Sequence, residues 1–430
     1  MTDRPTAAHL LRRLTFGPTA SDVDAAVADG ADATVAKLLA PATAPQFPDL
    51  GADPFGALAH DAGREARQQA RQQVRAQVTA ATWWWLTAMA GATTPAGRAA
   101  EKLTFFWHGH WATSVQKVRS ATLMLTQQQT FRRYGLGDTG AMVRAMLRDP
   151  ALILWLDGQR NTRKAPNENL ARELMELFTL GVGHYTEADV KAGARVLTGW
   201  QVDRAAGRAT LAAKRHDDTP VTVLGQAGVH DVDTYAGVLV RHPAHLPFLA
   251  GRLWLRYASG DPAPAEAIRR IAASGRDTAT MLRAMVTDPA FPATRGHLVK
   301  QPVEWLVGAV RQLGIDLTKL PDKQRPRMTG MLRSLGQVPL RPPSVGGWPS
   351  GDAWLTTSSV QARLRAGQAL AALTDGPLDD TPVRERVDAL ARLLVVDGWT
   401  ARTRAALDQV AAQPRKLLAL GLATPEYTVH

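Results

Sequence analysis

The sequence contains no cysteine, which excludes disulfides, thiolate metal sites, iron–sulfur clusters and a cysteine nucleophile. Any metal ion would have to be held by His, Asp and Glu. No apolar run approaches the ~18 uncharged residues of a membrane-spanning helix, so no span is expected. A Gly-x-Gly-x-x-Gly fingerprint, a phosphate-binding loop, a Gly-x-Ser-x-Gly elbow and a His-Glu-x-x-His motif are all missing. Their absence removes the commonest nucleotide-dependent, serine-hydrolase and zinc-protease readings. A secretory h-region is missing as well: Arg12-Arg13 invites a twin-arginine reading, but Leu14-Thr15-Phe16 runs at once into Gly17-Pro18. The chain as given therefore reads as cytoplasmic, unless a leader has been removed.

Acidic residues are in short supply, 39 against 51 Lys and Arg, which leaves a formal charge of +12. Arg64, Arg67, Arg71 and Arg75 form one basic stripe at helical spacing. No aromatic interleaving and no nucleic-acid fold motif accompany it, so a nucleic-acid partner is not expected. A protein partner and a small-molecule substrate stay open.

What is present is a long helical protein. With 430 residues, 45% of them hydrophobic, the chain can bury a large core. The periodicity predicts a mainly α fold: one large α-helical domain over residues 1–430, with a small β-hairpin excursion. Short helices are expected over 7–14 and 21–39, with a break at Gly30, and a proline-rich linker over 41–56. A long helix over 57–90 ends in Trp83-Trp84-Trp85, three indoles that cannot share one face; at least one should pack elsewhere or line a cavity. Helices over 98–107, 114–134 and 138–147 follow. Residues 201–235 read as an irregular insertion in which 209–213 and 221–224 pair as a hairpin. Helices resume to the end, broken by a Pro- and Gly-rich segment over 336–351 that reads as a capping loop with Trp348 or Trp354 as wall residues.

The helical pattern also repeats. Asp138-Thr-Gly-Ala-Met-Val-Arg-Ala-Met-Leu-Arg-Asp-Pro-Ala is echoed from Asp277, and Lys164-Ala-Pro166-Asn-Glu168 is matched by Lys300-Gln-Pro302-Val-Glu304. Two matches in one order suggest a divergent internal repeat.

Most of the candidate chemistry lies between Glu101 and Trp200. His108 and His110 flank Gly109. On a helix, residues i and i+2 point about 200° apart; if Gly109 stops the helix, both imidazoles can converge on one ion. On the helix opened by Pro166, Glu173 and Glu176 share a face with Arg172, where two carboxylates can bind a cation or divide acid and base roles. His184 and Tyr185 lie in a turn before a helix capped by Thr186-x-x-Asp189, which brings His184, Glu187 and Arg195 toward the acidic helix. His216-Asp217 reads as an imidazole oriented by its neighbour.

These motifs, together with Leu11-Arg12-Arg13-Leu14-Thr15-Phe16-Gly17-Pro18 and Pro342-Pro343-Ser344-Val345-Gly346-Gly347-Trp348, resemble the bacterial "domain of unknown function 1800" family over nearly the whole chain. The resemblance implies that the motif residues belong to one shared site or scaffold. Gly109 stands where the family pattern usually has Asn, and Val221 where it tends to have Lys.

The expectation that follows is a metal-dependent enzyme. An iron, copper or manganese ion would sit between His108, His110, Glu173 and Glu176, with His184 and Glu187 as acid–base groups. Arg172 or Arg195 would orient an anionic group, and the reaction would be oxidation of a small organic molecule. A metal-free, glycoside-type hydrolase using a carboxylate pair from Glu173, Glu176, Glu187 and Asp189 needs similar parts. A helical binding or assembly protein with a buried polar network is the third reading.

Overall fold

Capping residues set many of the helix boundaries in the computed structural model, which describes residues 2–59 and 61–430. Thr19 and Asp22 close a reciprocal box at the start of the helix Ala20–Asp29, and Thr186 and Asp189 do the same for Glu187–Val196. Gly30, at φ 83°, separates Ala20–Asp29 from Ala31–Leu38 as its left-handed preference predicts. The expected helix over 57–90 is Arg64–Gly91; its His60 lies outside the described residues. The expected helix over 114–134 is two, Val115–Val118 and Ala121–Tyr134, because Arg119 turns left-handed and Ser120 caps the second.

The molecule is mainly helical, 60% of it in helices, with two small two-stranded antiparallel sheets. The single expected hairpin is a correction. Strand β1 (Trp200–Asp203) pairs with β2 (Arg208–Leu211), and β3 (Val221–Val223) with β4 (Gln226–Val229). Tight turns at Gly207 and Gly225, both at positive φ, let each strand find its partner a few residues away, so 209–213 and 221–224 never meet. No described helix is long and apolar enough to cross a membrane.

Two apolar clusters form the interior, and the helix Pro95–His110, here the histidine helix, feeds both. Leu103, Phe106 and Trp107 enter the first cluster; Phe105 enters the second. Against the second side pack Trp85 of the helix Arg64–Gly91 and the helix Pro302–Gln312, here the carboxylate helix. Of the three adjacent indoles, Trp85 is fully buried and donates to Glu101 Oε2 at 3.0 Å, Trp84 lies against Phe47, and the Arg325 guanidinium sits over Trp83.

The N-terminal helix Arg4–Leu14 ends in the turn Thr15-Phe16-Gly17-Pro18, which lies directly on the carboxylate helix. A Cβ on Gly17, at φ 122°, would come within 2.5 Å of the Gly308 Cα. Only two facing glycines allow that approach.

The two echoed stretches meet in space. Asp138 and Asp277 form an antiparallel bridge, Thr139 N–H donates to Arg276 O, and Thr278 N–H donates to Gly137 O. The helices Thr139–Met146 and Thr278–Val286 thus begin side by side.

Candidate functional site

The histidine helix does not stop at Gly109. It opens on the Thr94 cap with Pro95 in its first turn and continues through His110. His108 and His110 therefore point to opposite sides, as the i, i+2 spacing requires on a helix, and the expected convergence on one ion does not occur. Gly109 has a different role: a Cβ on Gly347 would lie 2.4 Å from the Gly109 carbonyl oxygen, so the segment Pro342–Gly351 comes down onto the helix where it lacks a side chain.

Each imidazole is buried and makes one hydrogen bond through Nε2. The Leu340 N–H donates to His108 Nε2 at 3.1 Å, which uses the ring's lone pair and places its proton on Nδ1. His110 is the opposite tautomer: Nε2 faces the Phe178 carbonyl at 3.0 Å and donates to it, leaving the Nδ1 lone pair unengaged. Burial pushes both rings down to about 3, so both are neutral.

Phe178 belongs to a wide-turn segment, Leu174–Thr179, in which Leu180 N–H reaches back to Met175 O. Such a turn leaves carbonyls unpaired at its end. His110 serves Phe178 O, and His245 Nδ1 serves Thr179 O at 3.0 Å while its Nε2 accepts from Thr139 Oγ1. The buried face of this segment is thus joined to the histidine helix, and its other face carries the acidic residues.

That division separates the expected ligands. Glu173 and Glu176 lie half-buried on the outer side; the Glu176 carboxylate accepts from Tyr185 Oη, and burial followed by the Glu176 charge raises Glu173. Arg172 is bound by Glu187, with Oε atoms at 2.7 and 2.8 Å, and by Glu168. Arg195 is held by Asp217 at 2.8 Å, which also turns Asp217 away from His216; that ring is oriented instead by Thr198 O at 2.9 Å. His184 is exposed, 6.2 Å from the His242 ring. The structure brings Glu173, Glu176 and Tyr185 together, and Arg172 with Glu187, but not with either buried histidine. Among the described residues no group of three or more His, Asp or Glu is placed to hold a metal ion. With the His108 lone pair engaged and His110 on the far side of the helix, the four expected ligands do not fit a transition metal.

Two of the concavities along the histidine helix bear on the site. The larger, about 1140 Å³, lies along its first half between the loop 41–47 and Trp84 and is largely apolar; of its four charged residues, Glu101 and Arg132 are closed on each other at 2.8 Å. The smaller, about 70 Å³, lies along the second half beneath Trp348, which stacks on Phe105 at 5.4 Å. Size favours the first. Chemistry favours the second, because His110 lines it together with Arg252, Arg256 and Gln301.

Arg252 and Arg256 stand one turn apart on the helix His245–Tyr257. Arg252 forms no ion pair or hydrogen bond among the described residues, and burial depresses its pKa. Arg256 reaches only to 4.0 Å from Glu304, with Nη2 buried and unpartnered. Neither arginine stands out in the sequence, since Arg252 and Arg256 carry no local signal beyond their i, i+4 spacing.

The loop over this cleft is held by fit. Replacing Gly347 with Ala is expected to displace it, since the new Cβ strikes a backbone oxygen and the residue keeps a positive φ. The Leu340 amide, bonded to His108, should then exchange with deuterium roughly 10- to 100-fold faster, in line with ~1–3 kcal/mol of local strain. Unchanged exchange would show that the loop does not depend on this contact.

A family model described as a protein of unknown function (DUF1800) matches residues 9–429. No curated protein and no solved structure matches the chain.

Proposed function

Since the chain belongs to the DUF1800 family, whose description carries no activity, we propose a function from the cleft itself: an enzyme that binds a small organic anion between Arg252, Arg256 and Gln301 and acts on it by acid–base chemistry. The observation that carries this reading is Arg252, a part-buried guanidinium with no carboxylate beside it among the described residues, facing a cleft. A desolvated cation without a counter-charge is costly, and an anionic ligand group offsets that cost. The Gln301 side-chain oxygen accepts from Gln337, leaving its amide N–H groups to donate to the same ligand. His110 lines the cleft with a neutral ring whose buried Nδ1 has no hydrogen-bond partner, which makes it the candidate base. Trp348 and Phe105 exclude water above it. No step is assigned to a metal ion, because the expected ligand set does not fit one.

Calorimetric titration with paired probes tests the reading: small mono- and dicarboxylates and phosphate monoesters against their neutral amides and alcohols. Anions are expected to bind and neutral partners not to. Arg252→Met should weaken binding by roughly 10- to 100-fold, the worth of a charged hydrogen bond, with the fold unchanged. Equal binding of neutral compounds, or an unaffected Arg252→Met protein, would overturn it.

A further inference from the structure

The first turn of the carboxylate helix is surrounded by cations. Lys102 Nζ, fully buried, donates to Glu304 Oε1 and to the carbonyls of Arg12 and Thr15 at 3.0 and 3.1 Å. Arg256 approaches the other oxygen of Glu304. Arg13 has no exposed surface; its Nη2 donates to Thr294 O, and its Nε and Nη1 have no acceptor. Lys300 Nζ lies 3.5 Å from the centre of the Tyr427 ring, with no carboxylate paired to it. The His430 ring sits 3.7 Å from Glu304, with both nitrogens unpartnered. Arg12 alone has its own counter-ion, Asp397 at 2.6 Å.

Arg13, Lys102, Arg256 and Lys300 thus crowd one carboxylate side chain, Glu304, and burial together with the neighbouring cations pushes Lys300 well below the usual lysine range. The N-terminus of the carboxylate helix adds its own positive end at the same place. Buried polar groups are ordinarily paired, and here the unpartnered atoms are guanidinium nitrogens of Arg13 and Arg256, both ring nitrogens of His430 and the Glu304 Oε2 that Arg256 approaches at 4.0 Å.

We infer that this cluster binds one small monovalent inorganic anion, of the size and charge of chloride, among Arg13, Lys300 and the His430 ring. The anion is a structural counter-ion. It does not depend on the cleft reading above, with which it shares only Arg256.

Thermal unfolding tests it on the full chain refolded in sodium chloride, sodium bromide or sodium gluconate at equal ionic strength and pH. Chloride and bromide are expected to raise the midpoint saturably by a few degrees over gluconate, as a ligand of the native state does. Lys300→Met should lose that dependence, whereas Arg252→Met should keep it, which separates this site from the cleft. Crystals grown from bromide should show an anomalous peak within contact of Arg13 or Lys300, a readout that does not rely on the variant folding. Equal midpoints in all three salts, or water alone in the cluster, would overturn the inference. A peak without any midpoint change would also overturn it, as an adventitious ion only.

Discussion

Lowering the pH from 7 to 5 is expected to remove several kcal/mol of stability and to unfold the protein well above the carboxylate range. His9, His108 and His110 are pushed by burial down to about 3, and His245 to about 4, from an ordinary value of 6.5. A depressed imidazole contributes stability that is present above the unfolded value and is lost as the pH falls from it toward the folded value. At pH 5 each ring favours the unfolded state by ~2 kcal/mol, or ~8 for the four. Asp149 works against them: burial raises it to about 7, so its native carboxyl takes a proton first and offsets ~2 kcal/mol. The remaining ~6 kcal/mol is comparable with the whole stability of a typical domain, ~5–15 kcal/mol. Circular dichroism followed from pH 8 to pH 3 should show the midpoint between about 4.5 and 5.5. His245→Gln, which can keep one of the two hydrogen bonds without a titrating ring, should move that midpoint down. A midpoint near 3, unmoved by His245→Gln, would mean that carboxylates such as Asp217, held down by Arg195, control the transition instead.

The second large effect is an asymmetry between two residues four apart. Glu304→Gln removes the carboxylate shared by the buried cations and is expected to cost ~3–5 kcal/mol, the usual consequence of stranding a buried charge. Lys300→Met, only four residues away, removes a buried amine whose Nζ holds no carboxylate and touches an aromatic ring. Measured without halide, it should be neutral or stabilising, because methionine fills the same space without a desolvated charge. Urea unfolding of both variants in gluconate decides the matter. Comparable losses from the two would show that the cluster is balanced, with Lys300 part of the balance.

Much of the fold was legible because it is written locally. Gly30 and the Thr186-x-x-Asp189 box each act within a few residues, and the structure places helix ends at both. The two hairpins were misread for a related reason: Gly207 and Gly225 were weaker cues than the apolar runs, yet the nearest partner won. The site was less legible, since a glycine has two meanings. Gly109 read as a helix stop, and its missing side chain instead admits Gly347 from residues far along the chain. In the same way Arg12-Arg13 invited an export reading, and Lys300-Gln-Pro302-Val-Glu304 read as repeat punctuation. Nothing within either stretch reveals that they meet in the interior, because the partners of Arg12 and Arg13 lie about 280 to 385 residues away. The wide turn over Leu174–Thr179 was equally hidden: the leucine-rich face predicts a helix, and the lost carbonyl pairings become visible only once His110 and His245 are seen to satisfy them.

The glycine pair at Gly17 and Gly308 has a consequence during synthesis. The helix Arg4–Leu14 can dock at once on Ala20–Asp29 and Ala31–Leu38, but the turn after it closes on a glycine nearly 300 residues further along the chain. At ~5–20 residues per second that interval lasts roughly 15–60 s. Through it Leu10, Leu11 and Leu14 are covered by the neighbouring helices of their own cluster, while the turn at Gly17 still lacks its partner. The side chains of Arg12 and Arg13 wait as well, since the Thr294 carbonyl and Asp397 that receive them also lie far along the chain, so the final docking of this turn is a slow, late event in the life of each chain.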